Sequence, residues 1–522
     1  MTAIAILAHQ LGFAPSTREP VFDELNLALS ISRHALVGRN GSGKSLLGRI
    51  LANQLTPTSG AVIRHVDVGY LPQQLNLSTG SIADALGIGG KLAALRRIEA
   101  GSTDPGDFQT LADDWSIDAR CRRWLIDAGL PDELARPWRS LSGGERVRLQ
   151  LSQLFEQVRS FLILDEPGNH LDRRGRAWLQ DRLRAHPGGS LLISHDRELL
   201  ADVDSIDELS SLGLRRYGGG YEAYSTQRHI EAEAAQRQLE QARREQQALV
   251  RNQREEQQRL SQKQNKAKRE RANANLPTIL LDRRKQRSEM TQQRLSTAQR
   301  IQRAQHHEQL TDARTRVEEQ QAQRFDLGTF TATGTALWLE GVVAPYGHAQ
   351  PIDLYLAPGE RLHLSGDNGS GKSSLLAAIT GRLSPRAGHV RRGERVFLID
   401  QHYSLLHDHE NALENLRRLS PGHSLTDYRH YLAGIGLRGD RAELAAGALS
   451  GGERVKLALL ALDSAQQPYD LLLLDEPDCH LDLDSRQLLE KALASYRGTL
   501  VLISHDPHFV ALAGVDQELR LG

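Results

Sequence analysis

The run Phe161-Leu162-Ile163-Leu164-Asp165-Glu166-Pro167 returns about three hundred residues later as Leu471-Leu472-Leu473-Leu474-Asp475-Glu476-Pro477. Four apolar residues ending in paired carboxylates predict a strand buried on both faces that delivers acid at its carboxyl end, the edge where open α/β sheets place ligands. One copy alone fits a core strand followed by a polar turn. Two copies with the same neighbours describe a duplicated unit, and a chain of 522 residues exceeds what one core serves.

Upstream of the first copy, apolar Ala35-Leu36-Val37 leads into Gly38-Arg39-Asn40-Gly41-Ser42-Gly43-Lys44-Ser45 and then helix-compatible Leu46 to Leu51. This strand, glycine loop and helix is the context a P-loop requires. Its glycines let backbone N–H groups and the helix amino terminus face an anion. Lys44 is expected to reach the β- and γ-phosphates, and the Ser45 hydroxyl to ligate magnesium. Next, Val68 to Leu71 reads as a short strand that ends at Pro72-Gln73. Leu141-Ser142-Gly143-Gly144-Glu145 then opens an amphipathic run, a second helix amino terminus. A plain N-cap explains it too, but two glycines exceed what a cap needs and suit close approach to a phosphate. Finally, the apolar strand ending in Ser194-His195-Asp196 brings a histidine to the edge that holds the acidic pair.

Bulk composition constrains less. Lys+Arg and Asp+Glu are both 65, so net charge nominates no partner, although cancellation can hide a basic segment. Two cysteines, Cys121 and Cys479, make no disulfide framework, thiolate zinc site or metal cluster, which points to a reducing cytoplasmic setting. Residues Thr2 to His9 read as a first strand rather than a signal peptide. No run of about eighteen apolar residues occurs, so no membrane-spanning segment is expected.

The order of P-loop, glutamine, Leu-Ser-Gly-Gly-Glu, apolar strand with Asp-Glu-Pro, Leu-Asp and Ser-His-Asp resembles the ATP-binding cassette ATPases. The second half repeats it with Gly366, Asn368, Gly369, Gly371, Lys372 and Ser373, then Gln401, Leu449-Ser450-Gly451-Gly452-Glu453, Asp475-Glu476, Leu481-Asp482 and Ser504-His505-Asp506. Two cassettes in one chain joined by a charged linker are similar to the ABC-F family, ribosome-associated ATPases that act on translation. The likeness covers nearly the whole chain. It implies an α/β fold of two tandem ATP-binding cassette (P-loop NTPase) domains, residues 1–225 and 326–522, joined by a long antiparallel α-helical hairpin linker, residues 226–325.

The same resemblance assigns roles for ATP and Mg2+. Lys44 and Lys372 hold phosphates; Ser45 and Ser373 bind magnesium, with Asp165 and Asp475 supporting the metal and Gln73 and Gln401 completing the metal and water site. Glu166 and Glu476 act as general bases, and His195 and His505 clamp the γ-phosphate. In the family the cassettes close head to tail, so Ser142-Gly143-Gly144 serve the second P-loop and Ser450-Gly451-Gly452 the first. Phe13 and Tyr346 stand where the adenine stacks. A monomer with intramolecular cassette pairing is expected, with two hydrolytic sites. Gly168 and Asp478 stand where the family has Thr, and Cys479 where it has Asn, so the second loop after the base is altered. The first half is also about twenty residues longer between its glutamine and Leu-Ser-Gly-Gly, around Gly87 to Phe108, where some relatives carry a ribosome-touching arm.

Between about Thr226 and Arg324 composition shifts to Gln, Arg, Glu and Ala. Leu239, Ala242, Leu249 and Leu260 share one helical face; Met290, Leu295, Ile301, Leu310 and Val317 share another, and Asn273, Asn275 and Pro277 break the pattern. Two helices folded back on each other, each on the order of 60 Å, are expected. Lys263, Lys266, Lys268, Arg269 and Arg271 precede the turn, and Arg283, Arg284, Lys285 and Arg287 follow it. A solvated spacer accounts for such a charge run, but a basic tip in a chain of zero net charge is what phosphate-backbone contact requires. In the family this segment reaches the ribosome, ribosomal RNA and transfer RNA included. Residues Ala274 to Asp282 would form its tip, which has no aromatic residue to stack on bases. The alternatives are an antibiotic-protection factor of the same family, the ATPase subunit of a membrane transporter, and a DNA-repair or chromosome ATPase. The long basic linker argues against a transporter subunit, and the lack of zinc-binding cysteines against an excinuclease.

Overall fold

The computed structural model describes residues 3–15, 20–75, 80–156, 160–169, 171–272, 325, 336–367, 369–467, 469–479 and 481–521. Two units emerge: residues 1–223 with 322–522, and residues 224–321. The first unit contains two similar α/β layers. In one, the strands Val68–Leu71, Phe161–Asp165, Ser190–Ile193, Arg33–Gly38, Ser205–Ser210 and Gly213–Gly218 lie in that order, parallel except for the last pair. In the other, Val396–Ile399, Leu471–Asp475, Leu500–Ile503, Arg361–Gly366 and Gln517–Leu521 form a parallel sheet. Both acid-bearing strands are buried on both faces along their apolar run, as unbroken runs of Leu, Ile and Phe require. A three-stranded antiparallel sheet accompanies each layer: Phe22–Ser30, Ile4–Phe13 and Ser59–Arg64 in the first half, Ile352–Leu356, Leu337–Val343 and Ala387–Arg392 in the second.

Strand register sets the chemistry of the sheet edge. Asp165 lies opposite Ile193, and the Glu166 N–H donates to Ile193 O at 2.8 Å. Asp475 lies opposite Ile503, and the Glu476 N–H donates to Ile503 O at 3.0 Å. Each acidic pair is thereby stitched to the strand that ends in Ser-His-Asp. Each P-loop leaves the carboxyl end of the neighbouring central strand and runs into a helix, Lys44–Leu51 or Lys372–Thr380.

The extra length of the first half forms the helices Gly89–Glu99 and Pro105–Leu111. Leu92, Leu95 and Leu111 bury against Cys121, Trp124, Leu125 and Trp138, so the insertion contributes to a local core. That environment also explains Cys121, whose thiol is pushed up by burial.

From Tyr221 to Ala272 the chain is one helix of 52 residues, about 78 Å long at 1.5 Å per residue. So polar a helix draws support from pairs one turn apart: Gln227–Glu231, Arg237–Glu233, Gln236–Glu240, Gln241–Glu245 and Arg251–Glu255. The expected second arm and the tip at Ala274 to Asp282 fall in residues 273–324, outside the described residues.

Candidate nucleotide site

Both P-loops begin and end on left-handed glycines, Gly38 and Gly366 at φ 150°, Gly43 and Gly371 at φ 94° and 98°. A Cβ on Gly38 would meet Leu209 O at 2.3 Å, and one on Gly371 would meet Tyr346 O at 2.4 Å, so no larger residue fits. At Gly41 and Gly369 an added Cβ would meet nothing within 4 Å, which leaves each loop open there. Lys44 Nζ donates to Gly38 O and Arg39 O at 2.7 and 3.0 Å; Lys372 Nζ donates to Gly366 O and Asp367 O at 2.8 and 3.0 Å. Burial lowers the pKa of both ammonium groups. Loop, helix amino terminus and lysine therefore share one concavity, as a triphosphate requires. Asn368 lies outside the described residues.

A cleft of about 780 Å³ opens at the first P-loop. Asn40, Lys44, Ser45, Gln73, Asp165, Glu166 and His195 line it from the first half of the chain, and Ser450 and Gly451 line it from the second. The Asn40 N–H also donates to Asp482 Oδ2 at 2.9 Å, a bond between residues 442 positions apart. Burial pushes the Asp482 carboxyl up, but hydrogen bonds from Ser485 and the Asn40 amide bring it below its ordinary value. Ser450 and Gly451 are half-buried, whereas Ser142 and Gly143 are exposed. The signature residues of the second cassette are thus brought to a P-loop, while those of the first face solvent.

Both signature serines also cap their helices, Gly143–Phe155 and Gly451–Asp463. Ser142 Oγ accepts from Glu145 N while Glu145 Oε2 accepts from Ser142 N, and Ser450 and Glu453 repeat the exchange. The glycines have a packing reason as well. A Cβ on Gly452 would meet Ser485 Oγ of its own cassette at 2.3 Å, so a larger residue there would force that hydroxyl to turn away.

The acidic ends of the sheets carry backbone strain. Glu166 and Glu476 adopt φ of 50° and 48°, a left-handed conformation uncommon outside glycine, at the same place in both copies. His195 Nε2 lies 3.7 Å from Glu166 Oε1, and His505 Nε2 lies 3.4 Å from Glu476 Oε1. Their environments differ: the Glu166 and His195 side chains are 11% and 9% exposed, against 23% and 18% for Glu476 and His505. Burial pushes the Glu166 carboxyl up to about 8 against the pull of Lys44, and drives His195 down to about 3. Glu476 is instead held below the ordinary carboxylate range by His505, against burial, with Cys479 Sγ donating to its Oε2 at 3.4 Å.

The residues present fit a divalent cation. Burial raises Asp165, while hydrogen bonds from the Ser45 hydroxyl and Tyr70 pull the other way, and Asp165 Oδ1 is buried with no hydrogen-bond partner. Asp475 stands in the same relation to Ser373. A carboxylate joined to a hydroxyl at the mouth of a phosphate cradle is a magnesium donor set. Tyr70, whose Oη donates to Asp165 Oδ2 at 3.4 Å, was not singled out in the sequence, because an aromatic residue in a short strand reads as core. Leu398 occupies the equivalent place in the second sheet.

The remaining site residues are dispersed. Gln401 sits half-buried just beyond the strand Val396–Ile399. Tyr346 presses its backbone against the second P-loop, its carbonyl accepting from Ser374 Oγ at 2.7 Å, while its ring is 66% exposed and free to stack. Phe13 packs toward Phe22 with centroids 6.4 Å apart and is not among the residues that line the cleft. Elsewhere, His407, His409 and Glu410 bring donor atoms within 4.8 Å of one another. The Glu410 carboxylate is already held by His407 and Arg418 at 2.9 and 3.0 Å, so this cluster braces a turn.

The family described as ABC transporter matches residues 23–169 and 349–478, once in each half. The chain is 33% identical over 548 residues to tylosin resistance ATP-binding protein TlrC of Streptomyces fradiae, covering 96% of this chain and 95% of the relative. It is 29% identical over 519 residues to ATP-binding cassette sub-family F member 3 of Rattus norvegicus, covering 94% and 67%. This chain is a tandem-cassette ATPase of the ABC-F family. A solved structure of the archaeal ribosome recycling factor aABCE1 with the ribosomal stalk protein aP1 shares the fold of this ABC-F chain. Its TM-score is 0.58 at 17% identity, covering 98% of this chain and 87% of that one. Among the described residues of the ABC-F chain, no helix is long and apolar enough to cross a membrane.

Proposed function

We propose that the protein hydrolyses ATP in two sites shared between its cassettes and uses their closure to present its basic helical linker to the ribosome. The cleft shared by Lys44 and Ser450 carries this reading. A γ-phosphate held from both sides joins the cassettes, and its hydrolysis releases them. In each site the lysine and loop amides bind the phosphates, and the serine and aspartate hold magnesium. Bound there, the metal supplies neutralisation of charge developing on the phosphates. Glu166 and Glu476 accept the proton of the attacking water, while His195 and His505 orient the γ-phosphate.

The two bases should differ in pH response. A general base acts only when ionised, so turnover at the first site rises with pH through about 8, the value to which burial pushes Glu166. At the second site Glu476 is held low and turnover stays flat across the neutral range. Glu476→Gln reports the first site and Glu166→Gln the second. Identical profiles in the two variants would remove the distinction.

The ribosome assignment rests on the 52-residue polar helix and the basic residues in its last turns, Lys263 to Arg271, together with membership of the family. With a non-hydrolysable ATP analogue, the protein is expected to co-sediment with ribosomes through sucrose. Alanine at Lys263, Lys266, Lys268, Arg269 and Arg271 should weaken that association and flatten its salt dependence by up to about one log unit per lost phosphate contact. Basal ATP hydrolysis should not change. Protein confined to the top fractions would contradict the assignment. A second reading, antibiotic protection, draws support from the name of TlrC; it predicts that expressing the chain raises tolerance to tylosin.

A further inference from the structure

Arg197 begins the helix Arg197–Ala201, two residues after His195, and its guanidinium reaches across to the second cassette. Nη2 pairs with Glu490 Oε2 at 2.9 Å, Nη1 donates to His508 Nδ1 at 2.9 Å, and the group lies over the Tyr221 ring at 5.3 Å. Glu490 Oε1 is in turn 3.6 Å from Arg486 Nε, and Arg486 Nη2 pairs with Asp506 and, at 3.4 Å, with Asp478. Asp478 lies two residues beyond Glu476. The side chains of Arg197, Glu490, Arg486, Asp478 and Asp506 are between 6% and 11% exposed, so water screens their pairs little, whereas His508 is exposed.

The mirror-image positions cannot build the same run. Where the loop after Glu476, the D-loop of the second cassette, offers Asp478, the corresponding loop after Glu166 has Gly168; Gln180 stands at the place of Glu490, and Pro507 at that of Arg197. Arg176, the counterpart of Arg486, keeps an ion pair with Asp196 at 3.4 Å. Charge has thus been placed on one side of a pseudo-symmetric contact. In the second D-loop, Asp478 also leaves its Oδ1 buried without a hydrogen-bond partner, a group whose energy changes if Arg486 moves.

We infer that Arg197, Glu490, Arg486 and Asp478 form a relay that couples closure of the cassettes over the first P-loop to the setting of Glu476 in the second site, a connection the mirror-image positions do not duplicate. Closure seats Arg197 against Glu490, whose other oxygen attracts Arg486 across 3.6 Å without a hydrogen bond, and Arg486 pairs with Asp478 in the D-loop next to the base. Coupling of this kind is reciprocal for binding: ATP at either site tightens the other by the same factor. The relay rests on the reading of Glu476 as a general base. Its four members are positioning residues: they pair with one another, and none lines the cleft at the first P-loop.

The test uses the full chain. In the Glu166→Gln background, where only the second site turns over, Arg197→Met and Asp478→Asn are each expected to lower kcat about tenfold. The double variant should lose no more than the worse single one, because both interrupt the same path. In the Glu476→Gln background Arg197→Met should leave first-site turnover within about twofold. Losses that multiply in the double variant, or equal losses in both backgrounds, would overturn the relay and make the cluster a general brace. Should Arg197→Met fail to fold, Arg197→Lys keeps the charge but not the two-pronged contact, and is expected to lose about threefold in the Glu166→Gln background only. Turnover of Glu166→Gln itself is read first; its absence would overturn the assignment of Glu476, a failure distinct from that of the relay.

Discussion

Replacing Glu166 and Glu476 together with glutamine is expected to lower ATP turnover by about 10²- to 10⁴-fold while leaving nucleotide binding intact. Glutamine keeps the shape of the side chain, and therefore the strained turn at φ near 50° and the contact with the neighbouring histidine, but it cannot take a proton from water. The cassettes should then close over ATP and stay closed. Phosphate release and retention of labelled ATP on a filter measure the two halves of the expectation. A double variant that still turned over at a tenth of the normal rate would show that neither carboxylate is the base.

The second large effect concerns the residues that reach across. Gly451 is the first residue of its helix, where an added acid is well tolerated and favoured by the helix dipole. Its substitution by glutamate should therefore leave the fold intact. It would nevertheless set a negative charge against the triphosphate held by Lys44, and first-site turnover, read in the Glu476→Gln background, should fall about 10²-fold or more. Lys44→Ala should give the same defect from the opposite side of the cleft. In the Glu166→Gln background, by contrast, Gly451→Glu should cost the second site no more than about the tenfold lost when closure over the first P-loop is uncoupled from Glu476. Loss at the second site with the first spared would mean that each signature serves the P-loop of its own cassette.

Much of the fold was legible because its signals are local. Unbroken Leu-Leu-Leu-Leu before Asp475 must be covered on every side, as a strand inside a two-faced sheet is, and glycines at 38 and 371 are demanded by carbonyls 2.3 and 2.4 Å from any Cβ. The helix Tyr221–Ala272 was signalled by its composition and by the shared face of Leu239, Ala242, Leu249 and Leu260. The parts that were not legible depend on long-range pairing. Asp482 was read as part of a Leu-Asp motif, and nothing in its neighbourhood reveals that it accepts a bond from the Asn40 amide. Tyr70 resembles any core aromatic until the register of Phe161–Asp165 brings Asp165 beside it. Arg197 and Glu490 were passed over for the same reason: one is an ordinary residue after a Ser-His-Asp, the other an ordinary helical acid. The second glycine of Leu-Ser-Gly-Gly teaches the reverse lesson. Its pattern suggested a phosphate, yet Gly452 also packs against the Ser485 hydroxyl of its own cassette, 2.3 Å from where a Cβ would stand.

The most direct test of the central claim uses vanadate, which mimics the γ-phosphate beside ADP and cleaves nearby backbone under ultraviolet light. In a Lys372→Ala variant only the first P-loop can trap it. Cuts are expected at that P-loop, near Ser45, and at the signature of the other cassette, near Ser450. A cut near Ser142, or cuts confined to the P-loop, would contradict a nucleotide held between the two cassettes.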